Sequence, residues 1–265
     1  MDKTYWQRQE PGKPLFPSLL WSRPENRQHA GKLSIIGGNL HSFAAAAGAY
    51  AEAVKAGSGT VRVLLPDALR KTVGPVLEAG EFAPSTPGSG SFSQKALDEW
   101  LLQANWSEGV LVAGDLGRNA ETAIVLEKFL SKFPAQVTLT KDAGDYLSSI
   151  AQTVANRPPH STLLVLSLAQ LQRYATALKY PEPITFSMDL LRLVDWLHDF
   201  TTAYTPFIIV KHLDTMFVAA QGEVSTTKLT QDVAIWRTRT AAHAAVWWMQ
   251  NPGQPFEALT TALID

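Results

Sequence analysis

The chain has no cysteine among its 265 residues. Disulfide bonds, thiolate metal ligands and thiol nucleophiles are therefore excluded. No uninterrupted apolar run reaches the roughly 18 residues that a membrane span requires, and the first residues contain no apolar signal core. From these absences we expect a cytoplasmic protein that has no membrane partner.

The chain also lacks an excess of charge of either sign. The 23 Lys and Arg residues nearly balance the 24 Asp and Glu residues, which leaves a formal net charge of -1, and no Lys/Arg block stands out. This balance gives no reason to expect binding to nucleic acid or to a membrane surface, and it favours a small-molecule ligand. A hydrophobic content of 46% is enough for a large core within one α/β domain.

Short β-branched runs alternate with longer helical patterns along most of the chain. The predicted strands are 33–36, 61–65, 110–113, 137–140, 163–166, 207–210 and 216–219. The predicted helices are 42–56, 93–104, 119–132, 144–155, 168–179, 187–203, 232–249 and 255–264. This order predicts a mostly parallel sheet covered by helices on both faces. The short connection between the last two strands predicts an antiparallel hairpin.

The first residues do not follow this alternation. Prolines at 11, 14, 17 and 24 surround Trp6 and Trp21, which predicts an extended arm over residues 1–28. Its aromatic side chains dock either on the same domain or on a neighbouring subunit. Residues 29–265 are then one domain, and the Pro/Gly/Ser-rich stretch 84–91 is interpreted as a surface loop.

Glycine-rich turns follow two of the predicted strands. Ile36-Gly37-Gly38-Asn39 precedes an alanine-rich helix, and Gly114-Asp115-Leu116-Gly117 precedes another helix. Such turns let the backbone approach a ligand, and a helix amino terminus offers free N–H groups to it. Turns at the same end of neighbouring strands would line one crevice. A tight turn with small residues for helix packing is the alternative interpretation.

Seven short motifs occur in the order and spacing of one known family. They are Arg23-Pro24, His29-Ala-Gly31, Ile36-Gly37-Gly38, Ala56-Gly-Ser-Gly-Thr-Val61, Leu116-Gly117-Arg118, Val210-Lys211-His-Leu-Asp-Thr215 and Asp232-Val233. From about residue 20 to the end, the chain resembles the ADP/ATP-dependent NAD(P)H-hydrate dehydratases. The resemblance implies a ribokinase-like three-layer α/β/α sandwich with an antiparallel hairpin near its carboxy-terminal end. It also implies repair of hydrated NADH or NADPH, with ADP or ATP and Mg²⁺ as cofactors, in a homo-oligomer.

The same resemblance implies roles for individual residues. Asp232 corresponds to the catalytic base, and Lys211, Thr215 and Gln231 correspond to the nucleotide site. The residues that correspond to substrate contacts are Gly38, Asn39, Ala45, Gly117 and Asp142. Plainer interpretations stay open for three of these residues. Asp232 is suited to cap helix 233–249, Asp142 to cap the helix that follows it, and Lys211 to a solvated hairpin.

Several family features are missing from the chain. The Gly-Thr-Gly-Asp turn reads Leu229-Thr230-Gln231-Asp232, and the His-Pro-Gly-Glu turn expected after Ser167 reads Leu-Ala-Gln-Leu-Gln. Ala113 and Asp115 replace two glycines of a Gly-Pro-Gly-Leu-Gly turn, and an aspartate there would repel an anionic ligand. Thr140 replaces the first aspartate of an Asp-Ala-Asp segment. These losses all fall around the predicted crevice.

Trp236 adds bulk close to the predicted catalytic aspartate, in place of a small residue. Losing one oxyanion-hole donor alone typically costs on the order of 100- to 1000-fold in rate. Two hypotheses follow. The chain is either a divergent nucleotide-dependent enzyme, meaning a hydrate dehydratase or a small-molecule kinase, or a non-catalytic ligand-binding or assembly module. Arg237 and Arg239 are expected on the solvent face of the last long helix, with replacement of the lost positive charge as the alternative. His243 is expected to be a packed residue at the surface edge of that helix and not a catalyst.

Overall fold

The computed structural model describes residues 3–75, 77, 79–229 and 236–264. Within these residues ten strands form one sheet, in the order β1-β10-β9-β8-β7-β6-β5-β2-β3-β4. The strands are β1 Trp6–Gln9, β2 Lys32–Gly37, β3 Thr60–Pro66, β4 Gly80–Ala83, β5 Gly109–Gly114, β6 Val137–Thr140, β7 Thr162–Ser167, β8 Phe207–His212, β9 Thr215–Ala220 and β10 Glu223–Lys228. The α-helices are α1 Pro17–Trp21, α2 Ala44–Lys55, α3 Arg70–Val73, α4 Leu97–Trp106, α5 Ala120–Lys132, α6 Leu147–Ala155, α7 Leu168–Ala177, α8 Leu190–Ala203, α9 Trp236–Gln250 and α10 Pro255–Thr261.

Successive strand residues contribute to two separate cores, because their side chains alternate between the faces of the sheet. In β2, Leu33 and Ile35 pack on the face covered by α1, α2, α3, α9 and α10. Ile36 packs on the opposite face, which α4 to α8 cover. Both faces are buried, which explains why the central strands read as continuous apolar runs. The predicted three-layer α/β/α arrangement is confirmed.

Strand direction and helix position follow one handedness rule. From β2 the chain extends through α2 to β3 and β4 on one side, whereas β5 pairs with the other edge of β2 and leads to β6, β7 and β8. Right-handed crossovers in opposite directions must place their helices on opposite faces. This accounts for α2 on one face and α5 on the other.

The predicted antiparallel hairpin is confirmed, since β8 and β9 pair antiparallel with His212 opposite Thr215. β9 is also antiparallel to β10, and among the described strands it is the only one that runs against the others. The sequence predictions missed β1, β4 and β10. Each has few apolar β-branched residues, and β1 and β4 lie at the edges of the sheet, where little side-chain burial is needed.

The segment predicted as an extended arm contains β1 and the short helix α1. β1 pairs in parallel with β10, and Trp6 Nε1 donates a hydrogen bond to Thr226 Oγ1 at 3.1 Å. The buried Gln9 side chain donates to Thr227 Oγ1 and to the Thr260 carbonyl. Trp6 therefore docks on its own domain, whereas the Trp21 side chain is 89% exposed.

The alanine-rich helix α2 packs against α9, which is buried on most of its circumference. Small residues on both helices allow a close approach, and a Cβ added to Gly48 would lie 3.5 Å from Thr238 Cγ2. His243 packs here with its Nε2 atom 3.0 Å from Glu52 Oε2, but it is buried in the interior and does not lie at the surface edge where it was expected. None of the described helices is long and apolar enough to cross a membrane.

Arg157 ties the α5–β6 and α6–β7 connections together from a buried position. Its guanidinium donates hydrogen bonds to the carbonyls of Leu130, Phe133 and Ala135, and its Nε donates to Thr162 Oγ1. Burial lowers the pKa of Arg157 to about 10. The side chain therefore acts as a cross-brace for backbone carbonyls that would otherwise have no donor.

Candidate functional site

The two glycine-rich turns meet where the sheet changes its direction of growth. β2 and β5 are neighbours, and the strands that follow them in the sequence leave toward opposite edges. The Gly38 N–H donates to the Gly114 carbonyl at 3.0 Å. A Cβ on Gly37 would lie 2.6 Å from the Gly114 oxygen, so the approach requires glycine. This is the switch point at which open α/β sheets bind ligands.

The carboxylate of Asp115 occupies the amino terminus of α2 at this switch point. Its Oδ2 atom accepts hydrogen bonds from the Ala45 backbone N–H at 2.7 Å and from the Ser42 hydroxyl at 2.8 Å. Asn39 Nδ2 donates to the Asp115 carbonyl at 2.7 Å. Asp115 thus fills, with a charge from its own chain, the position where a helix amino terminus attracts an anionic ligand.

Asp115 adopts a backbone conformation that favours glycine, with φ of 55°. Lys141, whose own φ is 53°, places its Nζ atom 3.8 Å from Asp115 Oδ1. Non-glycine residues in the left-handed region are uncommon and are held there by their surroundings. The hydrogen bonds to Ala45 and Ser42 are the contacts that hold Asp115.

Asp142 supports the second glycine turn and does not cap α6. Its Oδ2 atom accepts a hydrogen bond from the Gly117 backbone N–H at 3.2 Å, and its buried Oδ1 atom has no hydrogen-bond partner within the described residues. Burial, and secondarily the charge of Asp115, raise the pKa of Asp142 above its ordinary value. The neighbouring Thr140 is fully buried, and its hydroxyl donates to the Val165 carbonyl.

Gln170 lies where the resemblance places a His-Pro-Gly-Glu turn. Ser167 and Gln170 form a capping box at the start of α7, and Gln170 Nε2 also donates to the Lys141 carbonyl at 2.6 Å and to Asp145 Oδ1 at 2.9 Å. Arg237 Nη1 donates to Gln170 Oε1 at 3.0 Å. The hydrogen-bonded side chain of Gln170 therefore occupies the space beyond the end of β7. Ser167-x-x-Gln170 was the sequence signal for this cap, and sequence reasoning missed it.

The contacts of Arg237 and Arg239 correct the expectation that both lie on a solvent face. Arg237 is half-buried against Gln170, and Arg239 Nε lies 3.8 Å from Glu52 Oε2. Most of the α9 surface is buried, so both arginines contact residues of neighbouring helices, Gln170 on α7 and Glu52 on α2.

A polar cavity of about 470 Å³ opens beside the second glycine turn, at the amino terminus of α5. Its walls include Arg118, Arg173, Asp142, Asp145 and Tyr146. The Tyr146 hydroxyl donates to the Gly117 carbonyl, and Arg173 Nη2 lies 2.6 Å from Asp145 Oδ1. The exposed Arg118 makes no hydrogen bond or ion pair with any part of the chain that the structure describes.

No family model matches the sequence, and a search of curated proteins finds no match. Solved structures do match over almost the whole chain. A ribokinase-like superfamily protein from Enterococcus faecalis V583 has a TM-score of 0.71 at 14% identity, covering 100% of this chain and 87% of that one. This chain has a ribokinase-like fold.

Two further structures with the ribokinase-like fold are enzymes. The ADP/ATP-dependent NAD(P)H-hydrate dehydratase from Bacillus subtilis, co-crystallised with ATP/Mg²⁺, matches with a TM-score of 0.61 at 12% identity, over 95% of this chain and 86% of that one. A hydroxyethylthiazole kinase from Pyrococcus horikoshii OT3 matches with a TM-score of 0.59 at 10% identity, over 94% and 80% of the two chains. At these identities the likeness concerns the fold alone.

The structure brings together only part of the predicted site. Gly38, Asn39, Ala45, Gly117 and Asp142 all lie around Asp115. Lys211 and Thr215 lie at the β8–β9 hairpin, three strand spacings from β5, which corresponds to roughly 14 Å. Lys211 is in register with Ser167, and the Thr215 hydroxyl donates to Asp214 Oδ1 at 3.2 Å.

The predicted catalytic base Asp232 and the predicted nucleotide contact Gln231 lie outside the described residues. Trp236, the first residue of α9, is half-buried and packs against the core shared by α2 and α9. It therefore fills space beside the start of α9 with an apolar ring.

The residues present fit a magnesium ion poorly. The described residues contain no group of three or more His, Asp or Glu side chains arranged to hold a metal ion. Magnesium sites in phosphoryl-transfer enzymes commonly use one or two carboxylates together with substrate phosphates. Asp115 is already engaged by α2, and Asp142 Oδ1 is buried against the turn, so neither carboxylate is open to a hydrated ion.

Three of the family-like motifs lie at the other end of the strands, where β2 and β3 begin. Arg23 Nη2 donates to the Ala56 carbonyl at 2.5 Å, and its guanidinium lies 4.8 Å from the centre of a Trp247 ring. A Cβ on Gly59 would lie 2.2 Å from the Arg27 carbonyl oxygen. Gln250 Nε2 donates to the carbonyls of Ala30 and Gly57. These motifs stabilise the loops that lead into β2 and β3. Their presence therefore indicates the fold and gives no information about a reaction.

Proposed function

We propose that this protein is a ligand-binding relative of the ADP/ATP-dependent NAD(P)H-hydrate dehydratases with little or no dehydratase turnover. The observation that carries the proposal is the Asp115 carboxylate at the amino terminus of α2, bonded to Ala45 and Ser42. A substrate phosphate at that position would have to displace a carboxylate that already has two donors and would be repelled by its charge.

A second feature supports the loss of turnover. Gln170 takes the place of the family's histidine and glutamate and is held by Ser167, Lys141 and Arg237. An amide in this setting cannot exchange a proton near neutral pH, so it cannot replace an acid or a base.

The polar cavity beside Gly117 is the proposed ligand site. Two arginines and two aspartates line it, so its wall favours no net charge and suits a polar small molecule that has both donors and acceptors. Arg118 provides the uncommitted donors, and Asp145, whose side chain is 45% exposed, provides an acceptor on the same wall. Cytoplasmic location and homo-oligomer formation are part of the same proposal, and light scattering of the purified protein tests the latter.

The direct test is recovery of NADH absorbance from hydrated NADH, with ADP or ATP and Mg²⁺ present. We expect no recovery above the rate without protein, while an authentic dehydratase restores the absorbance under identical conditions. Turnover at a rate comparable to that of the authentic enzyme would overturn the proposal. A partial recovery of NADH absorbance that disappears in the Lys211→Ala variant would show that the protein keeps weak dehydratase activity that depends on Lys211.

The second candidate is an active nucleotide-dependent enzyme, either a dehydratase or a small-molecule kinase. The position of Lys211 favours it, because a lysine at the end of a strand, in register with Ser167, is placed to neutralise phosphate. Thermal unfolding with ADP or ATP and Mg²⁺ separates the candidates. A nucleotide at 100 times its dissociation constant stabilises a fold by about 2.7 kcal/mol. No shift at millimolar nucleotide would remove this second candidate.

A further inference from the structure

A small apolar pocket lies between α2 and β3, on the face of the sheet opposite to α5. Its volume is about 160 Å³. The lining residues are Phe43, Ala47, Tyr50, Val63, Leu65, Val73 and Leu77. Tyr50 is the only one of these that carries a polar side-chain atom, so water has few partners in the pocket. We propose that this pocket is a binding site for a small aromatic ring.

The pocket results from one small residue within a stripe of large ones. Phe43, Ala47 and Tyr50 are spaced by four and three residues, so they lie on one face of α2. On β3, Val63 and Leu65 are alternate residues that face the same core. Between the two aromatic side chains, Ala47 leaves unfilled the space that a larger side chain would occupy.

The other alanines of α2 explain why Ala47 stands apart. Ala46, Ala49 and Ala53 are fully buried, and their small size lets the helix pack closely against the sheet and α9. Ala47 is exposed, so its small size does not serve such packing. Its exposure also means that the pocket opens to the surface and that a ligand has an entrance.

Size and wall chemistry identify the class of ligand. An engineered apolar cavity of about 150 Å³ in another protein admits benzene, so a pocket of this volume has room for one six-membered ring. Phe43 and Tyr50 flank the opening, and aromatic rings favour edge-to-face or offset contacts with a third ring.

The pocket also adjoins the switch point. A Cβ on Gly38 would lie 3.2 Å from Leu65 Cδ2 and 3.3 Å from Phe43 Cβ. The pocket wall is thus continuous with the first glycine turn, although it shares no residue with the polar cavity at α5. The inference is therefore independent of whether the polar cavity holds a ligand.

The test uses fluorobenzene as the probe, the full-length protein and two matched variants. Ala47→Phe fills the pocket at an exposed helix position, and Lys128→Phe adds an exposed ring on α5, on the opposite face of the sheet from the pocket. Fluorine NMR of the probe should show binding to the wild type and to Lys128→Phe, and at least tenfold weaker binding to Ala47→Phe. Absence of binding to the wild type, or equal binding to all three proteins, overturns the inference.

A second measurement does not depend on variants. Methyl NMR of the wild-type protein, titrated with fluorobenzene, should show shifts of the Val63, Leu65, Val73 and Leu77 methyl signals. Methyl signals of Leu126, in the opposite layer, should stay in place. Shifts confined to other methyl groups would place the probe elsewhere and contradict the proposal.

Discussion

Asp115 and Ala45 are 70 positions apart in the sequence, and Asp115 Oδ2 lies 2.7 Å from the Ala45 backbone nitrogen. The bond joins the end of β5 to the start of α2 across the switch point of the sheet. The carboxylate accepts from a backbone N–H at the start of the helix, and it therefore stabilises the fold. It also occupies the helix terminus, where an anion would otherwise bind. Removing it should therefore change both properties.

The first prediction concerns Asp115→Gly. Losing a helix cap costs about 1 kcal/mol, which glycine at a positive φ partly offsets, so the variant should be slightly less stable than the wild type. Its exposed α2 terminus should then attract anions. Inorganic phosphate should raise the melting temperature of Asp115→Gly more than that of the wild type. Ser42→Ala, which keeps the carboxylate in place, is the matched control and should respond like the wild type.

The second prediction concerns Asp142 and pH. Burial and the charge of Asp115 raise the pKa of Asp142 in the folded state, so ionisation of Asp142 disfavours folding. The wild type should lose stability as the pH rises through this raised pKa, and Asp142→Asn should not lose this contribution. Urea unfolding should thus find Asp142→Asn more stable than the wild type at neutral pH, with a smaller difference in acidic buffer.

The exposed Asp199→Asn provides the comparison for that experiment, because its carboxylate is in water. It should change stability little at either pH. If Asp142→Asn were destabilised at neutral pH, the hydrogen bond from Gly117 would outweigh the cost of burial, and the prediction would be wrong.

The third prediction concerns Arg157→Met. The substitution keeps much of the side-chain volume but leaves the carbonyls of Leu130, Phe133 and Ala135 without their donor. Unsatisfied buried acceptors cost roughly 1–3 kcal/mol each, so a loss of at least about 3 kcal/mol is expected in urea unfolding. Arg192→Met, at an exposed position on α8, should differ from the wild type by less than about 0.5 kcal/mol. Similar losses in the two variants would contradict the cross-brace role.

The fourth prediction concerns Gly31→Ala, where backbone conformation and crowding act together. Gly31 has φ of 77°, and an added Cβ would lie 2.6 Å from Met249 Cε. The left-handed conformation alone costs about 1–2 kcal/mol, and displacing Met249 adds to it. Gly12→Ala has a similar φ of 72° with no heavy atom within 4 Å of its Cβ, so it measures the backbone cost alone.

Combining Gly31→Ala with Met249→Ala separates these two contributions. In the Met249→Ala background, the cost of Gly31→Ala should fall toward that of Gly12→Ala, as a double-mutant cycle of thermal or urea unfolding would show. An unchanged cost would mean that the contact with Met249 contributes nothing.

The strands that the sequence predicted are those whose burial on both faces demands a continuous run of apolar residues. Val110 to Ala113 and Leu163 to Leu166 belong to this group, and both are fully buried. β1, in which three polar residues follow Trp6, was missed because its partner β10 lies more than 200 positions away in the sequence, and that pairing leaves no local pattern. The glycine turns were found because glycine is required where the backbones at Gly37 and Gly114 approach each other.

The role of Asp115 could not be predicted in the same way. The sequence showed an aspartate in place of a glycine and indicated repulsion of an anionic ligand. Only the strand order brings this aspartate to the start of α2, where its carboxylate accepts a hydrogen bond from the Ala45 backbone N–H. The role of Gln170 likewise depends on Arg237, which donates to it from a position 67 residues further along the chain.

Local chemistry by itself determined the alternation of strands and helices, the glycine turns and the hairpin at Lys211 to Thr215. Each follows from periodicity or backbone freedom within a few residues. Tertiary structure decided which turns meet, which charge fills the α2 terminus and where a missing side chain at Ala47 leaves a pocket. These outcomes depend on hydrogen bonds and packing between residues far apart in the sequence, and strand order and crossover handedness bring such residues together only in the folded chain.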